Sequence, residues 1–206
     1  MSPEPRGAFV AVVGPSGAGK DTLMSCAARY PALDRRIHFA RRVVTRAAQA
    51  DAEDHDSLDE AGFARAEVEG AFALVWAAHG LRYGLPRALR DARAGGRTVV
   101  ANLSRRSLAE AVEAFGPLHV VEVTAAPEIL LARLVARGRE DESTIRDRLG
   151  RQVPIILPPG AHHRVIDNSG PVAEATEELV RYLNACAGAV MGTEAVETDQ
   201  TAAAGQ

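Results

Sequence analysis

Cysteine is scarce in this sequence, and the spacing typical of metal ligands is missing. The 206 residues include two cysteines, Cys26 and Cys186, which show neither zinc-site spacing nor a disulfide framework. Each lies in an apolar helical pattern, so we expect both thiols to be reduced and buried. The adjacent histidines His162 and His163 follow "PPGA", and we interpret them as loop residues rather than metal ligands.

Aromatic residues are also few, at 4% of the chain. Phe72 and Trp76 flank Leu74 at a spacing of two, which places the three side chains on one face of a predicted strand. We therefore expect Phe72 and Trp76 to be part of a strand core rather than a platform on which bases stack.

Long apolar runs and an excess of one charge are lacking as well. No segment reaches the ~18 apolar residues of a membrane span, and the first residues lack the apolar run of a signal peptide. The formal net charge of −3 gives no bulk attraction to nucleic acid or anionic lipid. We expect a cytoplasmic protein without nucleic-acid or membrane partners, and the composition leaves homo-oligomerisation open.

What the chain does contain is an alternation of apolar strands and amphipathic helices. Continuous apolar runs predict buried strands over four segments, 8–14, 98–103, 118–123 and 163–168. A helical pattern follows each run, and in the last helix Val172, Leu179 and Leu183 should face the core. This order is typical of an α/β fold in which helices cover both faces of a parallel sheet.

Two segments interrupt the alternation. Residues 35–86 are polar and mixed, with strand-like stretches, and residues 138–150 are densely charged. We expect both to be insertions at the carboxyl ends of the strands, where open α/β sheets bind their ligands. We predict a single domain over residues 1–186 and a disordered tail, rich in Ala, Gly and Thr, over 187–206.

The stretch "VVGPSGAGKDTL", residues 12–23, contains a phosphate-binding loop. Glycines let backbone N–H groups approach an anion, and the positive end of the following helix adds to the attraction. Lys20 should reach the β- and γ-phosphates of ATP as a point charge. The residues expected to bind the nucleotide here are Gly14, Pro15, Ser16, Gly17, Ala18, Gly19, Lys20, Asp21 and Thr22.

Asp21 occupies the position where this motif normally carries the Ser or Thr that holds magnesium. Three roles are open for it: it could ligate Mg²⁺ directly, hold one of the metal's waters, or cap the helix. We favour a metal-linked role, because a carboxylate beside a triphosphate would be repelled if no metal lay between them.

Further motifs resemble those of the guanylate kinases. "VVTR" (43–46) resembles their acceptor-phosphate segment, "GAFALVWAAHGLRYG" (70–84) resembles their G-x-F-L-E-x-A-x-x-x-G-x-x-Y-G, and "RLVARGREDESTIRDRL" (133–149) resembles their lid. The resemblance, spread over roughly residues 9–170, implies a P-loop kinase fold. Such a fold has a parallel five-stranded core sheet flanked by helices, an acceptor-binding insertion at about 35–86 and a lid at about 138–150, and it uses ATP and Mg²⁺.

The departures from that family are informative. Leu74 and Leu85 stand where guanylate kinases carry the Glu and the Ser or Thr that read guanine, and the strand end D-I-D becomes "NLS", residues 102–104. A leucine side chain has no hydrogen-bonding group, so it would leave the polar edge of a base without a hydrogen-bond partner. The phosphate-gripping Arg46 and Tyr83 are retained, and Arg42 replaces a small serine. The acceptor should therefore carry phosphate but not guanine.

This combination is most similar to the ribose 1,5-bisphosphate phosphokinases of phosphonate breakdown. They are guanylate-kinase-like, carry an Asp after the loop lysine, and have segments resembling "EDH" (53–55) and "LDEAGF" (58–63). The resemblance implies transfer of the γ-phosphoryl of ATP to a sugar phosphate, ribose 1,5-bisphosphate. The alternatives are a guanylate kinase with altered base contacts, another small-metabolite kinase and a non-catalytic guanylate-kinase-like binding module.

The resemblance also implies roles for individual residues. Those expected to act in phosphoryl transfer are Lys20, Asp21, which would also hold the metal, and the lid residues Arg137 and Arg148. Beyond the loop, the nucleotide should be contacted by Arg133 and Asn168. The acceptor side is expected to consist of Arg42, Arg46, Glu53, His55, Tyr83, Asn102 and Ser104.

Overall fold

A computed structural model describes residues 6–45, 55–78, 80–136, 138, 145, 149 and 154–192, with the backbone alone described for His55 and for 190–192. The strands of this part of the chain are β1 (Phe9–Val13), β2 (Ile37–Phe39), β3 (Arg42–Val44), β4 (His55–Ser57), β5 (Phe72–Ala78), β6 (Leu81–Pro86), β7 (Thr98–Asn102), β8 (His119–Thr124) and β9 (His162–Asp167). The helices are α1 (Lys20–Ala28), α2 (Glu60–Val68), α3 (Ala88–Ala94), α4 (Leu108–Phe115), α5 (Pro127–Ala136) and α6 (Val172–Gly192), with a short 3₁₀ turn at Arg105–Ser107.

The core is a parallel sheet of five strands in the order β2-β7-β1-β8-β9. β1 is the central strand, and each of its five residues is buried, as expected of a strand covered on both faces. The predicted five-stranded parallel sheet is therefore confirmed. Its edge strand β2 lies within the segment 35–86 that the sequence pattern assigned wholly to an insertion.

Successive side chains of β1 enter the two layers that sandwich the sheet. Val10 and Val12 pack in a cluster with residues of α1 and α6, including Leu23. Phe9 belongs to the opposite cluster, where its ring stacks on Phe115 of α4 with centroids 4.1 Å apart. The hydrophobic core thus has two layers, one on each face of β1, and the layer around Phe9 includes side chains of β5 and β6 such as Leu74 and Leu85.

Strands β3, β4, β5 and β6 form a second sheet, in the order β4-β3-β6-β5. β5 and β6 are an antiparallel pair, and β3 joins them by pairing antiparallel with β6. Trp76 is 9% exposed and stacks on Tyr83, whereas Phe72 stacks on Phe63 of α2. The expected strand-core role is confirmed for Trp76, whereas Phe72 is only partly buried and packs against α2.

Several expectations for the carboxyl-terminal part are corrected. Helix α6 runs to Gly192, past the predicted boundary at 186, because the buried Cys186 and Ala187 continue its apolar stripe with small side chains. Val172, at the first turn, is 41% exposed and does not face the core as Leu179 does. The adjacent histidines His162 and His163 are in strand β9, not in a loop.

The two cysteines differ in their surroundings. Both are free thiols, as predicted, and Cys186 is buried, but Cys26 is only partly buried. No helix within the described residues has the length and the apolar character needed to cross a bilayer.

Candidate active site

A phosphate-binding loop joins β1 to α1. Gly14, Gly17 and Gly19 have φ angles of 143°, 85° and 88°, in the range that favours glycine. Contacts exclude side chains as well. A Cβ atom at Gly14 would lie 2.1 Å from the carbonyl oxygen of Val123, and one at Gly19 would lie 2.4 Å from Nδ2 of Asn168. The loop can follow this path only with glycine at these positions.

The loop presents positive charge to an anion. Gly19 precedes α1 and has no side chain that could cap the first N–H groups of the helix, so these groups can bind an anion. Nζ of Lys20 donates to the carbonyl oxygens of Gly14, at 2.9 Å, and Pro15, at 3.0 Å, which holds the ammonium over the loop. This arrangement fits the phosphates of a nucleotide.

Asn168, after β9, and Arg133, on α5, hold the loop through hydrogen bonds to its backbone. Asn168 follows β9, is 2% exposed and donates from Nδ2 to the carbonyl oxygen of Ala18 at 2.7 Å. Nη2 of Arg133, on α5, donates to the backbone oxygen of Asn168 at 2.9 Å, and Nη1 makes a longer contact of 3.5 Å with that of Gly17. Both residues predicted to contact the nucleotide therefore contact the loop that would hold its phosphates.

Asp21, in the first turn of α1, connects the loop to the rest of the site. Its Oδ1 accepts a hydrogen bond from Nδ2 of Asn102 at 2.6 Å, and Nη2 of Arg42 lies 3.4 Å from the same oxygen. The guanidinium of Arg42 also lies 5.7 Å from the ring centroid of Tyr83. The structure thus brings together four predicted site residues, from the core sheet, the loop helix and the second sheet.

The helix-capping interpretation of Asp21 has no support in these contacts. The described hydrogen bonds to its carboxylate come from side chains of β3 and β7 and not from backbone N–H groups of α1. Thr22 is exposed at the next position of the helix, and Ser16 is partly buried within the loop. Asp21 is the acidic side chain that the loop helix places at the site.

Other predicted acceptor residues are less directly placed. Oγ of Ser104 accepts a hydrogen bond from the backbone N–H of Arg106 at 3.3 Å and so caps the 3₁₀ turn. The backbone of His55 in β4 pairs with that of Arg42. The predicted site residues that lie outside the described residues are Arg46, Glu53, Arg137 and Arg148, together with the side chain of His55.

The two leucines at the base-reading positions are core residues. Leu74 is 6% exposed and Leu85 is fully buried, and they pair across β5 and β6. Both pack in the cluster that contains Phe9 of the central strand. They offer no hydrogen-bonding group at the positions where guanylate kinases carry base-reading side chains.

A dedicated cage of protein ligands for a metal is not seen among the described residues. No group of three or more His, Cys, Asp and Glu side chains in that part of the chain converges on one point. Magnesium in phosphoryl-transfer sites is usually held by one or two carboxylates together with substrate phosphates and water. The single carboxylate of Asp21 beside the loop fits this kind of site.

A cluster of groups with shifted pKa values lies at the opposite end of the sheet, near the start of β8. Nδ1 of His119 lies 3.1 Å from the hydroxyl of Tyr182 and 3.4 Å from Sγ of Cys186, and its ring stacks on His162. Burial lowers the pKa of His119, raises the pKa of Tyr182 to about 12 and raises the pKa of Cys186 to about 11. Because this cluster lies away from the glycine loop, we expect it to affect the stability of the fold and not the site.

The sequence is similar to proteins of one named activity. It is 51% identical over 181 residues to the "Ribose 1,5-bisphosphate phosphokinase PhnN" of Brucella melitensis, a match that covers 87% of this chain and 93% of that protein. It is 46% identical over 179 residues to the protein of the same name from Rhizobium etli, covering 87% and 90%. No family model matches the chain.

Solved structures that are similar in fold include a guanylate kinase and a sugar kinase. Guanylate kinase from Anaplasma phagocytophilum superposes with a TM-score of 0.61 at 18% identity and covers 87% of this chain and 86% of its own. A sugar kinase from a Janibacter species gives a TM-score of 0.50 at 17% identity, with 89% and 98% covered. At these identities the similarity establishes the guanylate-kinase-like fold and nothing about the substrate.

Proposed function

This chain belongs to the ribose 1,5-bisphosphate phosphokinase family, and we propose that it transfers the γ-phosphoryl group of ATP to the 1-phosphate of ribose 1,5-bisphosphate. The product would be 5-phosphoribosyl 1-diphosphate, with ADP as the second product. A cytoplasmic location and homo-oligomerisation stay predictions from the sequence.

The observation that carries the proposal is a contrast between the two halves of the site. The donor half has the glycine loop, Lys20 and Asp21 in the arrangement that binds a nucleotide. On the acceptor side the guanidinium of Arg42 lies near both Asp21 and the ring of Tyr83, whereas Leu74 and Leu85 are buried at the base-reading positions. Such a site can bind a phosphate but offers no hydrogen bonds to the polar edge of guanine at these two positions. It therefore favours a sugar phosphate as the acceptor.

The proposed reaction needs charge neutralisation more than proton transfer. An oxygen of the acceptor 1-phosphate forms a bond to the γ-phosphorus, and the bond from that phosphorus to the β,γ-bridging oxygen breaks. The electron pair of the broken bond leaves with ADP. Because the attacking oxygen is already an anion, no general base is required, and the barrier is set by positioning and by repulsion among anions.

The chain's own residues would meet these requirements as follows. Lys20 and the N–H groups of the loop would hold the donor phosphates, and the carboxylate of Asp21 would hold magnesium or its water. When bound, magnesium supplies positive charge between the phosphates. Arg42, beside Tyr83, would neutralise the acceptor phosphate, for which a guanidinium offers paired donors. Arg46, Arg137 and Arg148 keep their predicted roles around the transferring group.

A phosphate-acceptor screen tests the proposal. The purified protein is incubated with ATP, Mg²⁺ and one acceptor at a time: ribose 1,5-bisphosphate, ribose 5-phosphate or GMP. We expect mass spectrometry to detect 5-phosphoribosyl 1-diphosphate with ribose 1,5-bisphosphate as the acceptor and not with the other two. The Lys20→Met variant, assayed in place of the wild-type protein, should give no product. Efficient turnover of GMP would instead identify a guanylate kinase, and ATP binding without any turnover would identify a binding module.

A further inference from the structure

We propose that Asn102 is a positioning residue that orients the carboxylate of Asp21 for magnesium, and that an amide is required there because a carboxylate would repel Asp21. The inference rests on the proposed function in one respect, namely that the metal accompanies a nucleoside triphosphate bound at the glycine loop. It does not depend on which acceptor receives the phosphoryl group.

The place of Asn102 in the fold makes it a rigid support. It is the last residue of β7, its side chain is 5% exposed, and its backbone lies beside Val12 in the parallel pair of β7 and β1. The glycine loop begins at Gly14, just beyond that pair. A side chain buried at the end of a central strand has little freedom to change rotamer, so its amide can fix a partner in one orientation.

The contact between the two residues has a defined chemistry. Nδ2 of Asn102 lies 2.6 Å from Oδ1 of Asp21, a short hydrogen bond, and bonds to an ionised acceptor are shorter and stronger than those between neutral groups. An ionised carboxylate can only accept, so the partner must donate, which an amide N–H does and a second carboxylate does not. An Asp at position 102 would face Asp21 oxygen to oxygen at this distance.

Both described donors act on the same oxygen of Asp21. Nη2 of Arg42 lies 3.4 Å from Oδ1, the atom to which Asn102 also donates. Within the ranges that the structure describes, Oδ2 accepts no hydrogen bond, and the Asp21 side chain is 38% exposed. Oδ2 is therefore the atom that can bind a metal ion or one of its waters. The contacts of Asn102 and Arg42 with Oδ1 fix the orientation of the carboxylate.

The pair differs from the usual arrangement of a P-loop site in a coordinated way. Such sites commonly hold magnesium with a loop Ser or Thr and an Asp at the end of a neighbouring strand. Here the loop position carries the carboxylate, Asp21, and the strand-end position carries the amide, Asn102. Among the described residues of these two positions the site keeps one negative charge, but that charge comes from α1 instead of from β7.

Four variants test the inference, with Mn²⁺ as the probe metal. They are Asn102→Ala, Asn102→Asp, Asp21→Asn and the double exchange Asp21→Asn/Asn102→Asp. Binding of Mn²⁺ in the presence of a non-hydrolysable ATP analogue is followed by electron paramagnetic resonance. Loss of a residue that orients a metal ligand typically weakens metal affinity about 10- to 100-fold, and we expect this from Asn102→Ala. Asn102→Asp should weaken it further, and the double exchange should recover affinity relative to both of its single variants.

The controls separate positioning from folding. Thr98→Val changes another buried polar residue of β7, at the end of the strand away from the loop, and should leave Mn²⁺ binding unchanged. Binding of the analogue without metal, measured with a chelator present, should change little in Asn102→Ala. Wild-type Mn²⁺ affinity in both Asn102→Ala and Asn102→Asp would overturn the inference. Because no acceptor is present, failure of the proposed sugar-phosphate activity would leave these measurements unaffected.

Discussion

Leu74 and Leu85 lie directly opposite each other in the antiparallel pair of β5 and β6, and both side chains are buried. They belong to the cluster that packs against the central strand of the core sheet, so the second sheet is joined to the core at this point. A position that reads a base in guanylate kinases therefore stabilises the fold here. Recognition of the acceptor has to come from other residues.

Truncation of Leu85 should destabilise the protein strongly. Its side chain is fully buried, and we expect Leu85→Ala to reduce the free energy of unfolding by about 2–5 kcal/mol through lost transfer energy and the remaining cavity. Urea denaturation followed by circular dichroism measures the loss. Val68→Ala is the control. Because Val68 is 88% exposed, this substitution should change the free energy of unfolding by no more than about 0.5 kcal/mol. Equal effects of the two substitutions would contradict the assignment of Leu85 to the core.

Lys20 is the one lysine of the chain. Apart from histidine, every other basic side chain is an arginine. A compact ammonium is thus used where phosphates need a mobile point charge, and arginine is used elsewhere. An amine-acylating reagent should modify one side chain, Lys20, besides the amino terminus, and abolish kinase activity. We expect ATP with Mg²⁺ to protect that side chain, because the phosphates would cover it.

Mass spectrometry of the labelled protein and its peptides checks this prediction. The Lys20→Arg variant is the matched control, because it keeps the positive charge but should be acylated at the amino terminus alone. Acylation of Lys20 at the same rate with and without the nucleotide would mean that the ammonium does not contact the phosphates.

Replacement of Arg42 should weaken acceptor binding more than nucleotide binding. Its guanidinium lies between Asp21 and the ring of Tyr83, and hydrogen bonds to charged groups contribute about 1.5–3 kcal/mol each. We therefore expect Arg42→Gln to raise the KM for ribose 1,5-bisphosphate about 10- to 100-fold. Arg82→Gln is the control in the same sheet, because Arg82 pairs with Glu67 away from the loop. A rise confined to the KM for ATP would place Arg42 on the donor side.

The central part of the fold could be predicted from the sequence because buried strands leave a simple signal. β1 is buried on both faces and reads as a continuous apolar run that ends at the glycine loop. β2 could not be recognised in this way, because it has three residues at the sheet edge and only Ile37 is buried. The end of α6 was also missed, because small residues such as Ala187 continue its buried stripe.

The site could be predicted only where one short motif contains it. The glycine loop and Lys20 are contiguous in sequence, so their spacing alone indicates a phosphate site. The hydrogen bond between Asp21 and Asn102 joins residues 81 positions apart and depends on the parallel pairing of β1 with β7. The local use of Ser104 as a cap is likewise visible only once the 3₁₀ turn is seen.

His119 provides a prediction about pH. Burial, and to a smaller extent the neighbouring His162, lowers the pKa of His119 below its ordinary value of 6.5. The folded state therefore binds fewer protons at this site than the unfolded chain does between the folded pKa and about pH 6.5. Since the unfolded state takes up the extra proton, stability falls as the pH is lowered through this window and returns as the pH rises above it.

The contribution of His119 should appear as a difference between variants. We expect His119→Gln, which keeps a polar side chain near the hydroxyl of Tyr182, to lose less stability than wild type between about pH 7.5 and pH 5.5. The difference in slope is bounded by about 1.4 kcal/mol per pH unit for one proton and is reduced because the ring is only half-buried. Urea unfolding at several pH values measures it, and His38→Gln, on an exposed ring, is the matched control. Parallel pH profiles for wild type and His119→Gln would show that the His119 ring is protonated as readily in the folded protein as in the unfolded chain.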